Sequence, residues 1–279
     1  MTPATTTGTL GWVGAINVYP IKSAKGSPLA RGAVTATGLE YDRRWLVVDA
    51  EGVFLSQREQ PRLCLVTPTV GVADLTIAAP GMQQIALPLG EEGGDRRRVR
   101  IWDDEVEAVV APGPVGAWFS EFLGGRYQLV RMPAPFVRRV DPEYAASSDR
   151  VGFADAFPFL IIAQASLDDL NARLVAQGEV ALPMNRFRPN LVIDGCPPFA
   201  EDWWSRVRIG DIGFRVVKPC ARCVITTTVQ ATGHTGHEPL RTLAGYRRVG
   251  NKVMFGQNAC HDHEGTLRVG DAVTAETAI

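Results

Sequence analysis

The densest reactive chemistry in the chain lies at Lys218-Pro-Cys220-Ala-Arg222-Cys223-Val-Ile-Thr-Thr-Thr228. Two thiols stand beside two cations, and neighbouring Lys and Arg favour the thiolate, the form that attacks electrophiles or binds soft metals. Several chemistries share this pattern. With His234 and His237 it reads Cys-x2-Cys-x10-His-x2-His, near a zinc finger. Finger histidines, however, are spaced by about three to five residues on a helix, and Thr232-Gly-His-Thr-Gly-His237 is too glycine-rich for one. Thioredoxin-like exchange needs the pair to open a helix in a βαβ unit, whereas a β-branched run follows here. A third chemistry is a cysteine ligand to a transition metal carried by an organic cofactor, with the cations ready for its phosphate. Two buried structural thiols make the fourth reading, since free cysteine is among the most buried residue types.

Other segments carry weaker signals. Lys22 and Ser23 in Tyr19-Pro-Ile-Lys-Ser-Ala-Lys-Gly26 follow an apolar run and suit an anion through charge, hydroxyl and backbone amides. A Walker A loop would need a glycine-rich stretch before the lysine, and none is there. Asp42-Arg43-Arg44-Trp45 and Asn185-Arg186-Phe187-Arg188-Pro189-Asn190 set arginine beside aromatics. Guanidinium groups there can grip a phosphate with two parallel bonds or stack on a ring; surface arginine is the plain alternative. Ser56–Arg62 reads as a polar hairpin whose arginines either face a pocket or water, and Arg96-Arg97-Arg98 as a solvated face. Cys260-His261-Asp262-His263-Glu264 has ligand-type residues but no second half, and reads as an exposed turn. There is no Gly-x-Ser-x-Gly elbow, no Gly-x-Gly-x-x-Gly after a strand, and no second cysteine cluster for an iron–sulfur centre.

The elements that must position these groups are short. Among 28 glycines and 19 prolines lie β-branched runs at Trp12–Tyr19, Arg44–Asp49, Val99–Trp102, Val106–Val110, Asn190–Asp194, Val207–Val217, Val224–Val229 and Leu267–Val273. Runs of this length bounded by Gly, Pro and Asp are predicted as strands, with turns at Asp103-Asp104, Ile209-Gly210-Asp211 and Val269-Gly270-Asp271. Helical pattern is confined to Ser166–Gln177, with Ser166 and Asp169 as a capping-box start, to Pro114–Leu123, and to Pro239–Arg248. The fold class is therefore mostly β with a few helices (α+β) and barrel-like. The 279 residues suit one large or two medium domains. Arg131–Asp149, with its prolines and charges, reads as a linker or long loop near the middle.

Lys plus Arg number 29 against 30 Asp plus Glu, a formal charge of −1, which argues against a general nucleic-acid binder but leaves room for a local cationic pocket. Five cysteines are too few and too odd in number for a disulfide scaffold, so a reduced, cytoplasmic setting is expected. The first ten residues lack the basic and apolar regions of a signal peptide and read as a flexible leader, and no window has the length of a membrane span.

Taken together, Val18-Tyr-Pro-Ile-Lys-Ser23, Gly38-Leu-Glu-Tyr-Asp-Arg43, Phe54-Leu-Ser-Gln-Arg58 and Pro61-Arg-Leu63 resemble the N-terminal β-barrel domain of MOSC proteins. Phe153-Ala-Asp155, Pro158-Phe-Leu160, Ala165-Ser-Leu167, Arg188-Pro-Asn190, Cys220-Ala-Arg-Cys223 and Phe255-Gly-Gln257 resemble the MOSC domain that follows. The order is kept from Gly11 to Val273. The resemblance divides the chain into a leader (1–10), an N-terminal β-barrel-like domain (11–130), a linker or long loop (131–149) and a β-barrel MOSC domain (150–279).

The resemblance is to the amidoxime-reducing branch of this family, and it implies a molybdenum cofactor (Mo-molybdopterin) bound between the two domains. It implies Cys223, not Cys220, as the protein's metal ligand. Cofactor contacts carry over to Lys22, Ser23, Arg43, Arg188 and Arg222, with Asp155 and Asn258 lining the site and Asp155 as a proton relay. The implied activity is reduction of N-hydroxylated small molecules, N–OH to N–H. Because the sequence stops at Ile279 with no ferredoxin domain, the electrons are expected from a separate donor protein of ferredoxin, flavodoxin or cytochrome b5 type. MOSC domains also carry a generic association with pyridoxal phosphate. Ala24 replaces a cysteine often seen after Lys-Ser, Ala221 replaces a serine common between the paired cysteines, and Asn258 stands where animal members have tyrosine. The alternatives are a cofactor carrier or sulfur-relay protein without reductase turnover, and a zinc-stabilised structural protein.

Overall fold

The computed structural model describes residues 8–90 and 94–275. Its strands are, in chain order, β1 (Gly8–Val18), β2 (Ser27–Leu29), β3 (Arg31–Thr35), β4 (Gly38–Leu39) and β5 (Trp45–Val48). Then come β6 (Thr67–Val70), β7 (Asp74–Ala78), β8 (Ile85–Pro88), β9 (Arg96–Ile101), β10 (Asp104–Val110), helix α1 (Val115–Leu123) and β11 (Gln128–Arg131). The rest is β12 (Phe159–Ala163), α2 (Gln164–Ala176), β13 (Leu191–Asp194), β14 (Arg206–Ile209), β15 (Ile212–Arg222), α3 (Leu240–Ala244), β16 (Arg248–Val249), β17 (Lys252–His261), β18 (Gly265–Arg268) and β19 (Ala272–Ala275). The protein is mostly β with a few helices.

One sheet closes on itself. Its strands run β12-β13-β1-β19-β14-β15-β17, and β17 pairs back onto β12 through Phe159↔Ala259 and Ile161↔Gln257. Closure pairs each of these seven strands on both sides, while β2 and β16 attach to β1 and β17. The β12–β13 pair is parallel, and a parallel pair needs a crossover, here α2. The barrel is filled by Val13, Ile16, Phe159, Ile161, Leu191, Ile193 and Phe214, among others. β1, from the start of the chain, is thus a stave of a barrel otherwise built from residues after Pro158.

The intervening strands form the order β5-β11-β10-β9 and a meander β6-β7-β8. In β7 the alternation is plain, with Leu75 and Ile77 buried while Asp74 is exposed. All four residues of β5 are buried, because Trp45 and Val47 face one core with α1 while Leu46 and Val48 face another with Val99 and Ile101. Helix α1 presents Trp118, Phe119 and Phe122 inward and ends at left-handed Gly124.

Several expectations shift. The leader expected over residues 1–10 falls mainly outside the described residues, and from Gly8 the chain is already paired with β19. The turn expected at Asp103-Asp104 lies one residue earlier, since Asp104 pairs with Ile101. Val224–Val229 is no strand: Val224–Thr227 coils into a 3-10 turn, because Thr226 and Thr227 hydroxyls donate to the Cys223 and Val224 carbonyls. Ser166 does not cap its helix. It is buried two residues inside α2, where its hydroxyl meets both oxygens of Glu201. The Cys260–Glu264 run is only partly a turn, as Cys260 and His261 end β17 and Cys260 is buried. Residues 132–158 contribute no strand to a sheet, yet Arg138 within them is buried and bonded to three backbone carbonyls.

Candidate functional site

The end of β1 and the turn before β5 are laced together. Tyr19 N–H donates to the Asp42 carboxylate, Arg43 N–H donates to Tyr19 O, and Lys22 N–H donates to Trp45 O. This lacing holds Ser23 at φ 67° and Arg43 at φ 45°, a left-handed backbone that costs about 1–2 kcal/mol for a residue with a Cβ. Arg188, between α2 and β13, is held likewise at φ 57°. Its guanidinium stacks on the Tyr19 ring at 4.3 Å and that of Arg43 on the same ring at 4.2 Å.

These groups border a cleft of about 850 Å³, counted out to its open mouth, between the barrel and the β5 region. Lys22, Ser23, Arg43 and Arg188 line it, together with Asp155, Arg222, Cys223 and Asn258. All eight residues singled out from sequence therefore share one cavity. Cys220 lines it as well, while His234 and His237 do not and are exposed. Among the described residues no group of three or more His, Cys, Asp or Glu side chains is poised to hold a metal ion. The arrangement of Cys220 and Cys223 with two histidines is thus not assembled, and a metal at Cys223 would need its remaining ligands from a bound molecule.

The cysteine pair ends a strand rather than opening one. Cys220 belongs to β15 and Cys223 follows its last residue in extended conformation. Arg222 donates through Nη2 to Phe187 O at 2.6 Å and through Nη1 to Cys220 Sγ at 2.9 Å, while its buried Nε has no partner. Arg58 reaches across from the N-terminal half to place Nη2 3.4 Å from Cys223 Sγ. Asn258, on β17 beside β15, donates to Lys218 O.

Lys22 Nζ, almost wholly buried, donates to Phe153 O at 2.8 Å and to Asp155 Oδ1 at 2.5 Å. Trp102 Nε1 adds a second contact at 3.2 Å to the same carboxylate oxygen. Burial alone would raise the Asp155 carboxyl; the Lys22 charge and hydrogen bond outweigh it and hold the group well below the usual carboxylate range. Burial, reinforced by the Arg43 charge, pulls the Arg188 guanidinium down to about 10, and burial pushes the Tyr19 hydroxyl up to about 12. Four cations face one carboxylate inside the cleft, and low local dielectric makes that excess a strong attractor for an anion.

The groups that sequence reasoning passed over are Trp102 and Arg138. Trp102 ends the predicted strand Val99–Trp102 with no signal that marks it for the cleft, and Arg138 lies in the segment read as a linker. Arg58 was noted only as an arginine that faces either a pocket or water.

A closed barrel and a flanking sheet unit that share a cationic, thiol-bearing cleft define the class of protein. The sequence matches the MOSC N-terminal beta barrel domain over residues 10–126 and the MOSC domain over residues 148–274. The chain belongs to the MOSC family. It is 35% identical to mitochondrial amidoxime-reducing component 1 of Homo sapiens and 33% identical to component 2 of the same species. Each alignment covers 95% of this chain, and 82% and 83% of the relative. It is also 30% identical to molybdenum cofactor sulfurase of Bos taurus over 88% of this chain, but only 29% of that much longer protein. No helix among the described residues is long and apolar enough to cross a membrane.

Proposed function

We propose that this protein is a molybdenum-cofactor oxidoreductase that reduces N-hydroxylated compounds, N–OH to N–H, with electrons from a separate donor protein of ferredoxin, flavodoxin or cytochrome b5 type. The observation that carries the reading is Cys223 Sγ beside a cleft with four cations and one carboxylate. The relatives' names support the substrate class. All five cysteines are free, which suits the reducing, cytoplasmic setting we assign.

The residues present fit an anionic, thiolate-bound cofactor. The buried Nε of Arg222 lacks a partner that a ligand acceptor would supply, and three left-handed residues crowd backbone and charge around one cavity. Cys223 would ligate the metal. Arg188, Arg43, Arg222, Lys22 and Ser23 would hold phosphate and pterin, and Asn258 would line the wall. When bound, the molybdenum supplies the two-electron chemistry that cuts the N–O bond, two protons and two electrons turning the hydroxylated nitrogen into N–H with release of water.

Asp155 stays ionised at neutral pH. Its Oδ1 is taken by Lys22 and Trp102, so a substrate N–H or O–H would be met by Oδ2 and oriented there. A proton relayed by this pair would come from Lys22 Nζ, the donor already in contact with the carboxylate. Arg58, by its contact with the sulfur, offsets negative charge on a ligating thiolate.

A cofactor carrier or sulfur-relay protein is the second reading, favoured by the likeness to the sulfurase and by the second cleft thiol, Cys220. Metal and pterin analysis of purified protein separates them, followed by benzamidoxime reduction with an artificial electron donor. Stoichiometric molybdenum and pterin lost in Cys223→Ala, with turnover in the wild type, supports the enzyme. Fully loaded protein without turnover, or molybdenum-free protein carrying persulfide, sinks it. Absorbance spectra of the same samples detect pyridoxal phosphate, which the same cations would hold.

A further inference from the structure

The cleft adjoins another chamber on its outer side. A second, outer cavity of about 1030 Å³ including its mouth shares Asp155 and Ala156 with the first. The charge reverses between them. The outer wall carries Asp103, Asp104, Glu105, Asp141 and Asp155 against Arg138 and Arg139. An anion fits the inner chamber, whereas the outer one favours a cation.

One side of the outer chamber is the indole of Trp102. Trp102 and Asp103 form a two-residue hairpin loop between β9 and β10, with Trp102 at φ 56°. A left-handed first position in such a loop is where turn chemistry prefers glycine. The bulkiest side chain stands there instead, and contacts from outside the hairpin hold it. The Arg58 guanidinium stacks on its ring at 4.4 Å, Phe54 meets it edge-on at 4.8 Å, and its Nε1 donates to Asp155. The residue is still 41% exposed. Arg58 also demonstrates the chemistry: a planar, delocalised cation is already stacked on this indole.

We propose that Trp102 is a specificity-determining residue, the aromatic wall of a substrate vestibule that stacks flat aryl N-hydroxylated compounds and holds their positively charged amidinium or guanidinium products. This rests on the reductase reading for the chemistry, but not for the binding. The ring offers a π face, Asp103 and Asp141 offer negative charge, and Asp155 links the vestibule to the thiol cleft.

The test titrates cofactor-loaded full-length protein calorimetrically with benzamidine (flat cation), benzamide (flat, neutral), acetamidine (cation without a ring) and benzoate (flat anion). Benzamidine is expected to bind tightest. Trp102→Leu should weaken it about fivefold and raise KM for benzamidoxime by a similar factor, with kcat changing less, and Trp102→Phe should recover part of the loss. The surface double variant Asp103→Asn/Asp141→Asn should weaken benzamidine but not benzamide, which keeps the idea testable if Trp102→Leu folds poorly. Benzoate binding as well as benzamidine overturns the proposal, as does unchanged benzamidine affinity and KM in Trp102→Leu. Trp102-dependent benzamidine binding by a protein that reduces no amidoxime supports the vestibule and defeats the reductase reading alone.

Discussion

Lys22 and Asp155 meet at 2.5 Å across the seam between the strand that opens the chain and the loop that precedes β12. The lysine side chain is 6% exposed and the carboxylate 61%, so the pair has a dry end and a wet end facing the cavity. That asymmetry sets what each partner contributes. The buried ammonium depends on its acceptors, whereas the carboxylate keeps access to whatever enters the cleft.

Replacing Asp155 by Asn should destabilise the fold at neutral pH by about 1–2 kcal/mol, less than for a fully buried pair because water screens the carboxylate. Because the folded carboxyl lies below the ordinary value, its contribution is complete above pH ~4 and fades as pH falls through the depressed range. Urea unfolding of wild type and Asp155→Asn should therefore differ at pH 7 and converge in acid. A difference that grows below pH ~4 contradicts the pairing.

Arg138 is expected to be the clamp of the site loop. It donates to the carbonyls of Gly152, Ala154 and Asp155 and pairs with Asp104 at 2.7 Å, with 5% of its side chain exposed. Arg138→Ala strands those acceptors and should cost about 2–4 kcal/mol, with proteolytic nicking near residues 150–156. Cofactor content should fall with it. Unchanged melting temperature and protease resistance would show that the loop holds itself.

These two contacts also mark how far the sequence could be read. Strands such as Trp45–Val48 and Leu191–Asp194 are legible because burial writes itself as β-branched and aromatic runs between breakers. The 3-10 turn after Cys223 is not, since its β-branched residues satisfy a strand pattern while their hydroxyls turn back onto the backbone. Individual cleft residues are ambiguous alone: a Lys-Ser pair or one arginine reads the same in a solvated loop. Their common order, matched to a family, is what joined them. Trp102 and Arg138 stayed hidden because no local pattern encodes a contact with Asp155, 53 and 17 residues away in sequence.

His261 should make stability depend on pH near neutrality. Burial lowers its pKa, its Nδ1 is buried without a partner, and it packs edge-on against Phe159 at 5.6 Å. Below the unfolded value of about 6.5 the unfolded chain takes up a proton that the folded ring resists, so stability falls as pH drops from 7 to 5. His261→Gln should flatten that slope in denaturant melts. An equal slope in the variant assigns it elsewhere.

Gly256 lets β17 lie against β12 and so sets Asn258 at the cleft. It has φ 79°, and a Cβ there would come 2.6 Å from Ile162 Cγ1 and 3.0 Å from the Ile161 carbonyl oxygen. Ile162 is fully buried against Leu167 and Leu170 of α2 and the Ile161 carbonyl is fixed in the backbone of β12, so Gly256→Ala should cost at least about 2 kcal/mol. The measurement is a chemical melt, and a loss below half that figure means the strand pair slides without penalty.

Arg186 and Arg188 stand two residues apart, and the proposed function gives them different work, scaffold for one and ligand binding for the other. Arg186 is buried and spans the carbonyls of Thr226, Thr227 and Glu238 through Nε and Nη2, fixing the turn that follows Cys223. Arg188 lines the cleft, stacked on Tyr19, with Nη1 donated to Ala24 O at 2.6 Å. A lysine ammonium is a point donor and cannot reproduce the planar fork at either position. Arg186→Lys should therefore cost about 2–4 kcal/mol and reduce cofactor content only in proportion to unfolding. Arg188→Lys should cost less stability yet lose cofactor from protein that remains folded. Thermal melts paired with metal and pterin content on the same preparations decide it. If both variants lose stability and cofactor in the same ratio, the cleft arginine is scaffold too, and the case for anion binding rests on Lys22, Arg43 and Arg222 alone.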